Sequence, residues 1–213
     1  TQNDCERILD AERANGGRTL IGFVLRSTPF YSRIHQLLTS GAIGRVVSIQ
    51  ADELPSWQVS SIMNRSPWRR YARTSGGAML EKSCHDMDIL NWMTGSRPAA
   101  LASFGSRMIF LPNPALPEFC DECGVAKDCL YFRRPRMHKG EDVADADLHD
   151  FVREDRRCIY NIDKDNIDTQ NIAIEYQNGA VANFMLNFNT GGPRSNRNFH
   201  AVGTKGRIWG NIE

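Results

Sequence analysis

The sequence predicts an α+β fold in which helices pack on one face of an open antiparallel sheet. Three observations carry this. Helical and strand-like stretches alternate through the first half, the last third reads as strands in period-two alternation, and glycine-containing turns separate the elements. Alternation on antiparallel strands gives the sheet one face to pack and one face left open.

In chain order, Asn3 or Asp4 can cap a first helix with apolar positions Cys5, Ile8, Leu9, Ala11 and Ala14, stopped by Gly16-Gly17. Thr19 to Leu25 is a nearly continuous apolar run, expected as a strand covered on both faces. Ser27 or Thr28 followed by Pro29 opens a second helix through Ile34, Leu37 and Leu38 to Gly41, since proline's fixed φ suits the first helical position. Gly44 turns into a strand from Arg45 to Asp52, and a polar loop rich in Ser, Arg and Trp follows. A helix then runs from about Gly76 to Met93 and ends at Gly95, and Pro98 precedes a strand from Ala99 to Ser106. From Leu111 to Tyr160 the chain carries Pro112, Pro114, Pro117 and Pro135, most of the cysteines and an acidic run from Glu141 to Asp150. That composition predicts a long insertion with little regular structure. Ile172, Ile174 and Tyr176 then alternate, Asn178-Gly179 supplies a hairpin turn, and Ala180, Ala182, Phe184, Leu186 and Phe188 alternate again. A second hairpin passes through Gly203-Thr204-Lys205-Gly206 into Arg207-Ile208-Trp209.

The 213 residues are 41% hydrophobic and 24% charged with a net charge of +1, so the overall balance favours neither nucleic acid nor an anionic membrane. No apolar run approaches the roughly 18 residues of a spanning helix. Arginines cluster at Trp68-Arg69-Arg70-Tyr71-Ala72-Arg73 and at Arg133-Arg134-Pro135-Arg136. They read either as loop arginines paired with local carboxylates or as a clamp for phosphate or carboxylate. The chain starts at Thr1 inside a helical pattern and ends in a strand pattern, which suggests a piece of a longer protein.

The helix from Gly76 to Met93 concentrates the chemistry. Residues three and four apart on a helix are neighbours, about 5–6 Å apart at Cβ, so Glu81, His85 and Asp88 share a face. Around them stand Met79, Leu80, Met87, Ile89, Leu90, Trp92 and Met93, and charges in such surroundings need partners or a polar cavity. Histidine exchanges a proton near neutral pH, a carboxylate one turn away can orient it or hold a substrate hydroxyl, and Lys82 can stabilise a developing alkoxide. The same groups would equally serve as a structural network with His85 on a buried carboxylate. A metal reading lacks the His-Glu-x-x-His signature.

Cys120, Cys123, Cys129 and Cys158 begin with a Cys-x-x-Cys pair and suit a structural zinc site, with disulfides or plain reduced thiols as the other readings. Cys5 and Cys84 sit on helices as small core residues. No GxGxxG loop follows a strand and opens a helix, and neither a Walker loop nor a GxSxG elbow is present.

The order of motifs resembles the Gfo/Idh/MocA oxidoreductases, relatives of glucose–fructose oxidoreductase and inositol dehydrogenase. The resemblance lies in Ile21-Gly22-Phe23-Val24-Leu25-Arg26, the Pro29 helix, Leu37 through Val46, Ser75-Gly76-Gly77 leading into His85-Asp86-Met87-Asp88, Gln177-Asn178-Gly179-Ala180, and Gly203 through Ile208. It implies a large, mostly antiparallel open sheet with helices on one face, preceded by the last helix and strand of a Rossmann domain. Residues 1–25 would be that remnant and residues 26–213 the substrate and oligomerisation domain, with the cysteine-rich insertion at about 111–160. It further implies NAD or NADP as cofactor, and a catalytic lysine in a Glu-Lys-Pro motif upstream of the residues here.

By the same resemblance His85 is the proton-relay residue and Glu81, where the family usually has aspartate, the ligand of a substrate hydroxyl. Asp88 joins them in binding substrate. Lys82 stands where lysine is unusual, as a second cation in the site or a partner for Asp86. The implied activity is hydride transfer between nicotinamide and a sugar, inositol or related polyol in the cytoplasm. A redox-neutral NAD-using glycosidase and a non-catalytic sugar- or dinucleotide-binding regulator are the alternatives. The open sheet face implies a homodimer or homotetramer.

Overall fold

A computed structural model describes residues 1–132, 156–189 and 192–212. Six strands, β1 (Val46–Glu53), β2 (Pro98–Ser106), β3 (Thr169–Tyr176), β4 (Val181–Asn187), β5 (Arg197–Gly203) and β6 (Arg207–Ile212), form one sheet in the order β2-β3-β4-β1-β5-β6. Neighbours run antiparallel except β1 and β4, which are parallel. The two late hairpins form locally, through the turns at Asn178-Gly179 and Gly203 to Gly206, and β1 enters between them from far upstream.

Period-two alternation sends Ile172, Ile174 and Tyr176 of β3, Ala182, Phe184 and Leu186 of β4, Ile49 of β1 and Phe199 of β5 to one buried face. Helix α2 (Pro29–Thr39) covers it with Tyr31, Ile34 and Leu38, and helix α5 (Ala78–Thr94) with Ile89, Leu90 and Met93. Removing such a side chain from water contributes about 1.5–3 kcal/mol each, before chain entropy is counted. The opposite face presents Asn171, Ala173, Glu175 and Asn183 and is exposed. The expected α+β sheet with one packed face is the one observed.

Three expectations change. Helix α1 (Gln2–Asn15) is capped by Thr1 rather than by Asn3 or Asp4; Asp4 instead completes a capping box, and no residue of α1 is buried. The run from Thr19 to Leu25 is not a strand: residues 17–23 have no regular structure, Val24–Ser27 is a short 3-10 turn, and Leu20 is 92% exposed. An apolar run becomes a strand only where another strand completes its ladder, and none among the described residues does so. The Ser/Arg/Trp loop contains two helices, α3 (Trp57–Arg65) and α4 (Ala72–Ser75). The buried side of α3 is mostly polar, with Ser60, Ser61, Asn64 and Arg65 beside Met63, so hydrophobic periodicity does not reveal it. Of the insertion, residues 111–132 hold only two 3-10 turns, as expected, whereas the acidic run and the Arg133 to Arg136 cluster lie outside the described residues.

Candidate functional site

Two consecutive glycines aim α5 at the sheet. Gly76 and Gly77 have φ of 79° and 88°, a region L side chains rarely adopt. A Cβ on Gly76 would also lie 2.3 Å from the Leu80 side chain. At the far end Gly95, also left-handed, closes the helix against Asn91.

Along α5 the charged residues divide. On the side against the sheet, Lys82 lies 2.9 Å from Oε1 of Glu53, the last residue of β1, and Glu53 is fully buried. Nε of Arg197, at the start of β5, lies 2.5 Å from the other Glu53 oxygen and donates to Asp86 Oδ1 at 2.8 Å. The Glu53 contacts are ion pairs without the alignment of hydrogen bonds. Burial drives the Asp86 carboxyl up to about 6 against the opposing pull of Arg197. Two acids and two cations thus cancel one another beneath the helix. Of the two alternatives for Lys82, pairing is realised, with Glu53 as the ion-pair partner rather than Asp86.

Glu81 and His85 lie one turn apart on the same helix. Glu81 accepts a contact from Arg69 Nε at 3.1 Å, and that guanidinium lies over the Trp68 ring, 4.7 Å from its centroid. Burial raises the Glu81 carboxyl above its ordinary range, with Arg69 and then Lys82 opposing. His85 meets the Phe23 ring edge-on, at 6.0 Å between centroids. Its Nδ1 is buried and has no hydrogen-bond partner among the described residues. Burial, with Arg197 and Lys82 adding, holds the imidazole below its usual range, so it is neutral and able to accept a proton near pH 7.

Asp88 is placed differently. Arg26 grips it with two hydrogen bonds, at 2.7 and 2.5 Å, while the same guanidinium lies over Trp92. Of the four residues read from the sequence, the structure thus keeps Glu81 and His85 together, with Arg69 closing one side. It engages Lys82 and Asp88 in ion pairs. Glu53, Arg197, Arg69 and Arg26 were not singled out as site residues, because their partners lie on elements distant in sequence. The one local clue was an arginine cluster holding Arg69.

The zinc reading of Cys120, Cys123, Cys129 and Cys158 is not supported by the geometry. All four line one small cavity, yet among the described residues no three His, Cys, Asp or Glu side chains are placed to hold one metal ion. A single zinc with bonds of about 2.3 Å needs its thiolates within about 4 Å of one another.

The mixed sheet and its double-glycine helix α5 have counterparts among known proteins. The profile of the GFO/IDH/MocA C-terminal domain matches residues 31–209, and the chain belongs to that family. The Bacillus subtilis (strain 168) protein YteT, which carries a provisional oxidoreductase name, is 31% identical over 231 residues, covering 99% of this chain and 52% of YteT. Inositol 2-dehydrogenase of Salmonella typhimurium (strain LT2) is 28% identical over 94 residues, covering 44% of this chain and 25% of that enzyme. Among solved structures, levoglucosan dehydrogenase in complex with NADH and levoglucosan superposes with a TM-score of 0.67 at 20% identity, over 99% of this chain and 45% of that one. The WlbA dehydrogenase of Bordetella pertussis, in complex with NADH and UDP-GlcNAcA, gives 0.67 at 14% identity over 100% and 49%. These likenesses show the shared fold. The chain spans about half the length of YteT, with which it aligns almost end to end. No helix among the described residues is long and apolar enough to cross a membrane.

Proposed function

We propose that the full protein is an NAD(P)-dependent oxidoreductase that transfers a hydride between nicotinamide and a hydroxyl-bearing carbon of a sugar, inositol or related polyol. The carrying observation is His85, a neutral imidazole with an orphaned, buried Nδ1, one helical turn from the mostly buried Glu81 carboxylate. These residues fit the substrate side of such a cofactor, whereas the sequence has no GxGxxG loop for a dinucleotide diphosphate. When bound, nicotinamide supplies the hydride acceptor or donor. His85 takes the proton from the substrate hydroxyl as the carbon is oxidised, or returns it in reduction. Glu81, steadied by Arg69, accepts a hydrogen bond from a second hydroxyl and fixes the ring. Names of relatives and neighbours that act on inositol or contain bound sugars support this substrate class.

Replacing His85 with alanine in the full-length protein tests the assignment. Turnover of the best substrate in a polyol panel, followed by nicotinamide absorbance, is expected to fall about 10²–10⁴-fold. A loss under about tenfold would remove His85 from the chemistry. For assembly, we propose that the exposed sheet face, with Phe104 and Trp209 81% and 71% exposed, pairs copies of the chain. Gel filtration of the full-length protein should show a dimer or tetramer, and a monomer would overturn the pairing.

A further inference from the structure

The cysteine-rich segment has little secondary structure, but it is anchored. Cys120 N–H donates to Arg156 O at 2.8 Å and Cys158 N–H to Glu118 O at 2.8 Å, on either side of an antiparallel bridge between Phe119 and Arg157. The Arg157 guanidinium lies over the Phe119 ring, 5.1 Å from its centroid, so this bridging pair points one way. Alternation along extended backbone sends Cys120 the other way, into a cavity of about 30 Å³ that Cys123, Cys129 and Cys158 also line. That is room for about one water, so the sulfurs there have one another as neighbours.

The local backbone singles out one pair. Cys120 opens a 3-10 turn, Cys120–Glu122, and Cys123 closes it by donating its N–H to Cys120 O at 3.2 Å. A 3-10 turn has three residues per turn, so side chains at i and i+3 eclipse. Three steps of about 2 Å carry the backbone about 6 Å, inside the Cα span of roughly 4.4–6.8 Å that a disulfide bridges. Cys158 is only a diagonal neighbour of Cys120 across the bridge, and such positions lie about 7–8 Å apart.

The two sulfurs are also unequal. Cys120 is 7% exposed, whereas Cys123 is only partly covered. The Cys120 thiol donates to Arg157 O at 3.8 Å and receives a guanidinium nitrogen of buried Arg65 at 3.6 Å. A cationic donor at that place stabilises negative charge on the sulfur once the proton has left.

From this arrangement we propose that Cys120 and Cys123 form a reversible dithiol–disulfide site that reacts with low-molecular-weight disulfides. Cys123, reachable from solvent, attacks as thiolate on one sulfur of the small disulfide, whose S–S bond breaks as one thiolate leaves. Cys120 then attacks the Cys123 sulfur and expels the second thiolate. The two protein thiols give up two electrons and two protons, and the small disulfide takes both up to become two thiols. Arg65 favours the second attack by holding Cys120 as thiolate, which makes Cys120 the resolving cysteine.

The test uses the full-length protein, reduced and desalted without oxygen, exposed to excess glutathione disulfide and mapped by mass spectrometry after alkylation. Expected is a Cys120–Cys123 disulfide, with two hydrogens lost and no glutathione retained on the pair, reversed by dithiothreitol. Exposed Cys5 should gain a mixed disulfide at most. Cys120→Ser should stop at glutathione bound to Cys123, and Cys123→Ser should leave Cys120 open to alkylation. A pair still open to alkylation, a mixed disulfide that persists on wild-type Cys123, or a disulfide from either residue to Cys129 or Cys158 would each overturn the proposal. The wild-type map decides even if a variant fails to fold.

Discussion

The two charged sets on α5 use the same residue types to opposite ends. Toward the sheet, Lys82 and Asp86 are matched by Glu53 and Arg197, and four formal charges sum to zero between the helix and the sheet. One turn away, Glu81 has one cation and His85 Nδ1 has no partner among the described residues. Matched charges lock the helix to β1 and β5. Incompletely matched ones leave capacity for a ligand, and perturbed groups with unused hydrogen-bonding capacity mark sites of chemistry. The difference comes from partners supplied by strands, not from α5 itself.

Breaking the matched set should have the largest effect on folding. Arg197→Leu leaves Glu53 and Asp86 buried with Lys82 alone, and should destabilise the protein by about 3–5 kcal/mol in urea unfolding. A loss below about 1 kcal/mol would mean that the layer is wet and the charges independent.

Glu81→Gln probes the other set. Losing a charged hydrogen bond to substrate is worth about 1.5–3 kcal/mol, so kcat/KM should fall roughly ten- to a hundredfold. The unfolding midpoint should barely move. Equal damage to stability and activity would erase the distinction drawn between the two sets.

Titration sharpens the comparison further. Asp86 ionises near 6 in the folded chain, above its unfolded value of about 3.9, so the native state holds the proton more tightly. Its contribution to stability is therefore full below about pH 4 and is lost as pH rises to about 6, by on the order of 2 kcal/mol. The stability of Asp86→Asn relative to wild type should rise by that amount between pH 4 and pH 6 and stay level above. An unchanging difference across this range would show that Asp86 is not the titrating group. For the unmatched set the direction reverses in consequence. Because His85 is held below its usual range, the acid limb of kcat/KM should lie below pH 6.5.

The smallest effect belongs to Arg26→Ala. Its pair with Asp88 is half-exposed on the arginine side, and the loss should be about 1 kcal/mol by thermal unfolding. A loss several times larger would place Asp88 with the buried, matched charges.

Much of this was legible in the chain. The Asn178-Gly179 turn with Ile172, Ile174, Phe184 and Leu186 fixed a hairpin because both the turn chemistry and the alternation are local. Thr28-Pro29 and Gly95 marked helix ends for the same reason, and Glu81 with His85 follows from helical spacing alone. What was not legible depended on distant partners. Thr19 to Leu25 has strand composition but no neighbouring strand among the described residues. Helix α3 hides because serines and Arg65 face inward, satisfied by Phe188 O, Arg157 O and Tyr131 O.

The sequence by itself determined the family, the alternating sheet and the acid–histidine pair, since periodicity, caps and turn residues act over a few positions. Only the tertiary structure decided which charges are matched. It paired Lys82 with Glu53 and Asp88 with Arg26, and gathered four cysteines around one cavity. Electrostatic and ligand geometry depends on through-space distance, and the order of residues along the chain does not specify that distance.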